Sequence, residues 1–209
     1  MSNKDIEIVP ESYAGKIDHK VLIWIEENKK PLDKSYLAFI EKHHGSIPVN
    51  GEFKSKKNNS YRIGRFFTIL NESSQLTLPE IQSEFNDRDA RIDRSIHTLI
   101  NEESQTLRSF IDGERLIPFA SLYFGSNHPD EMDLSKAYVD LLCFFYSSNK
   151  ERPEIVVWNG EKAMEESLRM EEVLEYEDLS EEEYYTSINY GSFNELVSED
   201  FDSFLDKLS

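Results

Sequence analysis

Cysteine is almost absent from this sequence, because Cys143 is the only one among 209 residues. A single thiol cannot form an internal disulfide, and no cysteine pair with zinc-ligand spacing exists. The neighbours of Cys143 in the chain are apolar: Leu141, Leu142, Phe144 and Phe145. We therefore predict a buried thiol that packs as a small hydrophobic side chain.

Long apolar runs are missing as well. No window approaches the ~18 consecutive apolar residues that a membrane span needs. Residues 1–7 contain no apolar segment of the kind that directs secretion. We therefore expect a cytoplasmic protein that does not enter a membrane.

Basic residues are also scarce, with 23 Lys and Arg against 41 Asp and Glu and a formal net charge of -18. Such a field repels phosphate backbones and anionic lipids, and it attracts basic protein surfaces. We therefore expect no direct contact with nucleic acid. The deficit is uneven, because residues 161–209 carry 16 acidic and only 3 basic side chains.

Motifs of catalysis and cofactor binding are absent too. The chain has no phosphate-binding glycine loop and no Gly-x-Ser-x-Gly elbow. His43 and His44 are adjacent, and neighbours on a helix point about 100° apart, so we predict a solvated helix end and no metal site. Residues 128–133 are rich in oxygen but lack the ligand spacing of a calcium loop. We predict no enzyme, no cofactor and no metal; a pocket with a converged histidine and carboxylate would contradict this.

The first fifty residues predict a helical hairpin. Apolar residues recur at three- and four-residue spacing over 17–28, which is typical of an amphipathic helix. Asp33 is placed to cap a second helix, with Leu32 and Leu37 spaced as a hydrophobic staple and Gly45 at its C-terminal stop.

The middle of the chain predicts strands. Phe53 and the segment 61–69 indicate a hairpin around a polar turn. Three apolar strands follow at 115–120, 138–146 and 154–158, of which the middle one is almost entirely apolar and therefore central in the sheet.

Polar residues mark the end of the third apolar strand and the start of a C-terminal helix. The dipeptide Asn159-Gly160 predicts a turn after the third apolar strand. Ser198 is placed to cap a C-terminal helix, in which Phe201, Phe204, Leu205 and Leu208 form an apolar face.

Two segments interrupt this pattern. Residues 71–111 combine a capping box at 77–80 with helical spacing and a charge-alternating surface at 87–94. Residues 161–183 carry a thin apolar stripe among many glutamates, formed by Met164, Leu168, Val173 and Leu174. Since no linker separates them, we predict one α+β domain over 1–209, with a core over about 17–208, a helical insertion at about 71–111 and an acidic insertion at about 161–192.

Four motifs in this order resemble the SUKH superfamily, in the branch named for a fungal cell-wall assembly regulator and found among bacterial immunity proteins. The motifs are residues 31–40 (PLDKSYLAFI) with Gly45, 116–120 (LIPFA), 154–159 (EIVVWN) and 197–205 (VSEDFDSFL). The pattern departs at His43-His44, where the family has Asn before the glycine, and in the two insertions. The resemblance implies an antiparallel sheet packed by the N-terminal helical hairpin and the C-terminal helix, no catalysis, and toxin binding in bacteria.

The acidic run is the candidate binding surface, with ten acidic residues between positions 165 and 183. A charge run most often forms only a solvated face, and that alternative stays open. Crowded like charges repel, however, so a basic partner would gain both steering and affinity by meeting them. Tyrosines nearby are suited to anchor an interface, although some of them belong to the core. The predicted partner-binding residues are Glu165, Glu166, Glu171, Glu172, Glu175, Tyr176, Glu177, Asp178, Glu181, Glu182, Tyr184, Tyr185 and Tyr190.

The favoured hypothesis is an immunity protein that binds and neutralises a cognate bacterial toxin. The partner would be a basic toxin domain, with a nuclease as the favoured class, whose active site is covered by the acidic surface. The alternative is a non-enzymatic regulatory scaffold of a signalling or cell-wall pathway, which the fungal relatives resemble. Long low-complexity flanks would favour the scaffold, and this sequence has none.

Overall fold

A computed structural model describes residues 6–71, 74, 95–100, 115–122, 140–147, 150–176, 180, 183 and 192–208. Within these ranges lie helices α1 (His19–Asn28), α2 (Lys34–His43), α3 (Ile96–Ile100), α4 (Gly160–Tyr176) and α5 (Phe201–Leu205). The strands are β1 (Glu52–Lys54), β2 (Ser60–Phe66), β3 (Leu116–Leu122), β4 (Leu141–Phe145), β5 (Glu154–Trp158) and β6 (Asn194–Ser198). The capping box at 77–80, the charged segment 87–94 and the oxygen-rich segment 128–133 lie outside the described residues.

The two predicted N-terminal helices form, and each begins at a side-chain cap, Asp18 for α1 and Asp33 for α2. The Asp33 carboxylate accepts hydrogen bonds from the backbone N–H groups of Ser35 at 2.8 Å and Tyr36 at 3.4 Å. These bonds satisfy donors that have no partner within the helix. Leu32 is buried ahead of the cap and Leu37 packs against the core, which fits the predicted staple.

The corner after α2 contradicts one prediction, because His44 is completely buried. Its Nε2 accepts from the backbone N–H of Ile69 at 2.7 Å, so Nδ1 carries the ring proton and donates to the carbonyl oxygen of Gly15 at 2.9 Å. Gly45 follows at φ +65, where a Cβ atom would come within 2.6 Å of the Ala14 Cβ. The segment before α1 folds over this corner, and the prediction of a solvated helix end is therefore wrong for His44.

The six strands form one antiparallel sheet in chain order, from β1 at one edge to β6 at the other. The predicted central position of the apolar strand is confirmed, since β4 pairs with β3 and β5 and its residues Leu141 to Phe144 are buried. Cys143 is fully buried, and burial raises the pKa of its thiol well above the ordinary value. The predicted packing role of the cysteine is confirmed.

The C-terminal elements correct a second prediction. Ser198 does not cap a helix; it ends β6, a strand that the sequence did not predict, and its register partner is Ile155. Asp200 caps α5 instead, by accepting from the backbone N–H of Ser203 at 2.7 Å. The apolar face of the C-terminal segment is confirmed, because Phe201, Phe204, Leu205 and Leu208 are all buried.

An aromatic cluster joins α2, α5 and the sheet. The Tyr36 ring lies 5.5 Å from Phe119, 5.0 Å from Phe144 and 5.2 Å from Phe201, measured between ring centroids. Tilted and edge-on contacts of this kind are favourable for aromatic rings. The described part is thus an α+β fold, in which helices pack on an antiparallel sheet, as the sequence predicts.

Candidate functional site: an acidic helix face

The acidic segment begins with a helix and not with the predicted turn. Asn159 caps α4, because its side-chain oxygen accepts from the backbone N–H of Lys162 at 2.9 Å. Its amide nitrogen donates to the Asp140 carboxylate at 2.8 Å, just before β4. The Asn159-Gly160 turn prediction is therefore wrong: both asparagine groups are used to start the helix and to fasten it to the sheet.

One side of α4 packs on the protein. Ala163 is fully buried, and Met164, Met170, Val173 and Leu174 are partly buried against the core. Residues 163, 170 and 174 are seven and four positions apart, which places them on one side of a helix. The 17 residues of α4 form a rod about 25 Å long, at 1.5 Å per residue. The helix is held to the core along its length.

The exposed surface of α4 carries four of the predicted glutamates. Glu165, Glu171, Glu172 and Glu175 are exposed. Within the described residues, no lysine or arginine forms an ion pair with these four carboxylates. Tyr176 ends the helix with 78% of its surface exposed. The helix therefore presents four exposed carboxylates that form no ion pair with the described part of the protein.

Glu166 differs from the other predicted residues on α4. Its side chain is only 18% exposed, and its carboxylate lies 3.7 Å from the Arg169 guanidinium. Glu166 therefore contributes less charge to the exposed face than its neighbours do. The remaining predicted residues lie outside the described ranges: Glu177, Asp178, Glu181, Glu182, Tyr184, Tyr185 and Tyr190.

Leu168 does not belong to the buried stripe that the sequence predicts. It is 50% exposed, and it lies three residues after Glu165 and four before Glu172, on the same side of the helix. At about 100° per residue, Leu168 is about 140° away from Ala163 around the axis. A helical projection anchored on Ala163, Met170 and Leu174 would have found this. The acidic face thus contains an apolar side chain.

A second group of carboxylates lies on and just after β6, and we call Glu195 and Glu199 the sheet-edge pair. Glu195 accepts from the Asn59 side-chain amide at 2.9 Å and from the Tyr61 hydroxyl at 3.1 Å. Partial burial acts to raise the pKa of Glu195, but hydrogen bonds from Ser55, Asn59 and Tyr61 bring the net pKa below its usual range. This carboxylate is held by the protein itself.

Glu199 is held more strongly. Lys150 and Lys56 both donate to its carboxylate, and these bonds lower the pKa of Glu199 to about 2. Lys150 also pairs with Glu154 at 2.6 Å. The backbone N–H of Lys56 donates to the Leu196 carbonyl at 2.9 Å, so the β1–β2 turn contacts β6 although these strands lie at opposite ends of the strand order.

Asp140 lies between the two acidic groups. Burial raises the pKa of its carboxyl to about 6; the backbone N–H of Gly160 and the charge of Lys162 oppose this rise, and the charges of Glu161 and Glu195 add to it. Asp140 also accepts from Asn159, the capping residue of α4. No local sequence pattern predicts this residue, because the charges that add to its pKa, on Glu161 and Glu195, come from separate parts of the chain.

The described part of the chain also bears on metal binding and on membrane insertion. There, no group of three or more His, Cys, Asp and Glu side chains is arranged to hold a metal ion. No helix in the same ranges has both the length and the apolar character needed to cross a membrane.

Comparison with known proteins gave no match, whether against family models, curated proteins or solved structures.

Proposed function

We propose that this protein is an immunity protein, which binds a basic toxin domain and covers its active site with the exposed face of α4. The observation that carries the proposal is the row of Glu165, Glu171, Glu172 and Glu175, which are exposed and have no ion-pair partner in the described part of the chain. Like charges held close together repel, and a basic surface relieves that repulsion when it binds.

A nuclease is the favoured class of toxin. An active-site groove that holds a phosphate backbone is basic, and carboxylates spaced along a rod about 25 Å long can occupy such a groove in place of phosphates. Because α4 is fastened at Asn159 and along its buried side, the helix backbone that carries the carboxylates is formed before binding. Binding then costs less conformational entropy than it would for a flexible acidic tail.

The SUKH superfamily is the family we propose for the chain. The antiparallel sheet and the helices that pack on it are compatible with what the resemblance implies. The four motifs correspond to capped α2, to β3, to β5 with the cap of α4, and to the end of β6 with α5. A cytoplasmic location is part of the same proposal, because the nucleic acid that a nuclease toxin attacks lies there.

The test uses the C-terminal domain of the large secreted protein that we expect the adjacent upstream gene to encode. The two purified proteins are mixed at about 50 and 150 mM salt, where exposed charges remain only partly screened. We expect a one-to-one complex by size-exclusion chromatography and loss of nuclease activity on a DNA or RNA substrate. No complex at either salt concentration, or no toxin domain encoded beside the gene, would overturn the proposal.

A matched pair of variants tests the surface. Glu165→Gln with Glu172→Gln removes two charges from the α4 face, and Glu27→Gln with Glu41→Gln removes two charges from exposed positions on α1 and α2. We expect the α4 variant to bind about tenfold more weakly or worse, and the control to bind within about twofold of the wild type. Equal weakening by both would mean that only net charge matters and not this face.

A further inference from the structure

Leu168 is the feature of α4 that the proposed function leaves unexplained. Half of its side chain is in solvent, between Glu165 and Glu172 on the exposed face. Single exposed leucines are common on proteins. This one is distinctive in its surroundings, because an apolar side chain at the centre of a row of carboxylates is where a charged interface would place a dry contact.

The charges around Leu168 restrict what can cover it. A second copy of the chain would bring a glutamate row against a glutamate row, which costs free energy. One leucine also falls far short of the roughly 800 Å² per partner that a stable complex buries. A basic surface is favoured, since it would neutralise Glu165 and Glu172 while it covers the leucine.

We propose that Leu168 inserts into an apolar pocket of the basic partner, with cationic side chains of that partner on either side of the pocket. This inference rests on the proposed function and specifies the partner's surface. Along the helix axis, Glu165 and Glu172 lie about 4.5 and 6 Å from Leu168, at 1.5 Å per residue. The partner therefore carries an apolar depression with lysine or arginine groups at about these distances on both sides.

The two kinds of side chain act on different rate constants. Carboxylates attract the partner from a distance and so accelerate association, whereas a buried apolar contact exists only after docking and so slows dissociation. Leu168 governs how long the complex lasts, and Glu165 with Glu172 governs how fast it forms. A nuclease with a groove that is basic but lacks the pocket is then bound fast and released quickly, which gives the leucine a role in choosing the partner.

The experiment measures both rate constants for the wild type, Leu168→Ala and Ile23→Ala against the neighbouring toxin domain by surface plasmon resonance. Ile23 is a matched control because it is an apolar side chain, 51% exposed, on a different helix, α1. We expect Leu168→Ala to dissociate about tenfold faster with its association rate within twofold. Ile23→Ala should leave both rate constants unchanged.

Three other outcomes would each overturn the inference about Leu168. Wild-type binding with unaltered dissociation of Leu168→Ala overturns the pocket and leaves the proposed function standing. Absence of wild-type binding overturns both. A wild-type protein that self-associates in sedimentation, and becomes monomeric in Leu168→Ala, assigns the leucine to a second copy and also overturns the inference. Melting curves of each variant establish that the fold is retained, which we expect because Leu168 is half in solvent.

Discussion

The carboxylates of α4 and the sheet-edge pair differ in what neutralises them. Glu195 and Glu199 receive hydrogen bonds from Asn59, Tyr61, Lys56 and Lys150. The exposed glutamates of α4 have no ion-pair partner within the described ranges. Acidic residues in one protein can therefore have two roles. Those beside β6 attach the β1–β2 turn to the sheet, and those on α4 remain available to another molecule.

This difference predicts that the stability of the fold and the binding of a partner depend on different carboxylates. Removing a carboxylate that the protein itself holds should change the free energy of unfolding and leave recognition intact. Removing a carboxylate that nothing holds should do the reverse, because only a partner uses its charge.

The largest effect on stability is expected at Asp140, which lies between the two groups. Asp140→Asn should raise the free energy of unfolding at pH 7.5 by about 1–2 kcal/mol, because the charged form is disfavoured by burial and each pKa unit corresponds to about 1.4 kcal/mol. The folded pKa of about 6 exceeds the ordinary aspartate value of 3.8. The stability that the protonated Asp140 contributes to the wild type is therefore lost as pH rises through this interval. The difference in the free energy of unfolding between variant and wild type should grow from about pH 4 to about pH 6 and then stay constant.

Urea unfolding at pH 4, 5, 6 and 7.5 measures this. Glu27→Gln serves as a control, because it removes an exposed carboxylate on α1 that is not among the charges shifting the pKa of Asp140. A variant that is less stable than the wild type at pH 7.5 would mean that the ionised carboxylate of Asp140 is needed at the start of α4.

A smaller loss is expected at the sheet edge. The double variant Glu195→Gln, Glu199→Gln should lose about 1 kcal/mol at pH 7, since it weakens charge-assisted bonds that are largely exposed. Both folded pKa values are lowered, so the stability they supply is present above about 4.5 and is lost as pH falls, through about 2 for Glu199. The difference between wild type and variant in urea titrations should shrink as pH falls below about 4.5 and vanish only near pH 2, and a constant difference down to that pH would contradict the account.

The smallest effect is expected on α4. Replacing Glu165, Glu171, Glu172 and Glu175 together by Gln should change the free energy of unfolding by no more than about 0.5 kcal/mol. We expect the free energy of unfolding to increase, because Glu171 and Glu175 are like charges four residues apart on one helix and repel each other. A loss above about 1 kcal/mol in chemical unfolding would show that these carboxylates hold the fold, and the comparison would fail.

Much of the fold could be predicted from the sequence because its signals are local. The Asp33 cap, the Gly45 stop and the apolar strand around Cys143 each depend on a few neighbouring residues. Strand β6 was missed because its residues Glu195 and Leu196 are only partly buried. Its pairing with β5 is set by contacts that periodicity does not reveal.

The candidate site was predicted only in part. Glu165, Glu171, Glu172, Glu175 and Tyr176 are exposed on α4, as a binding surface requires. Leu168 was assigned to the buried face because leucine is apolar. Its position on the helix instead places it among the exposed glutamates. His44 was misjudged because its partners, Gly15 and Ile69, come from separate segments that only the fold brings together.

The most direct test of the account is the salt dependence of association with the neighbouring toxin domain. Stopped-flow measurements would compare the wild type with the four-glutamine variant of α4 between about 50 and 500 mM salt, over which exposed charges become screened. We predict that the wild-type association rate falls about tenfold or more across this range, while the variant associates slowly throughout and with a flatter dependence. Parallel slopes and equal rates for the two proteins would contradict the claim that the carboxylates of α4 are there to meet positive charge on a partner.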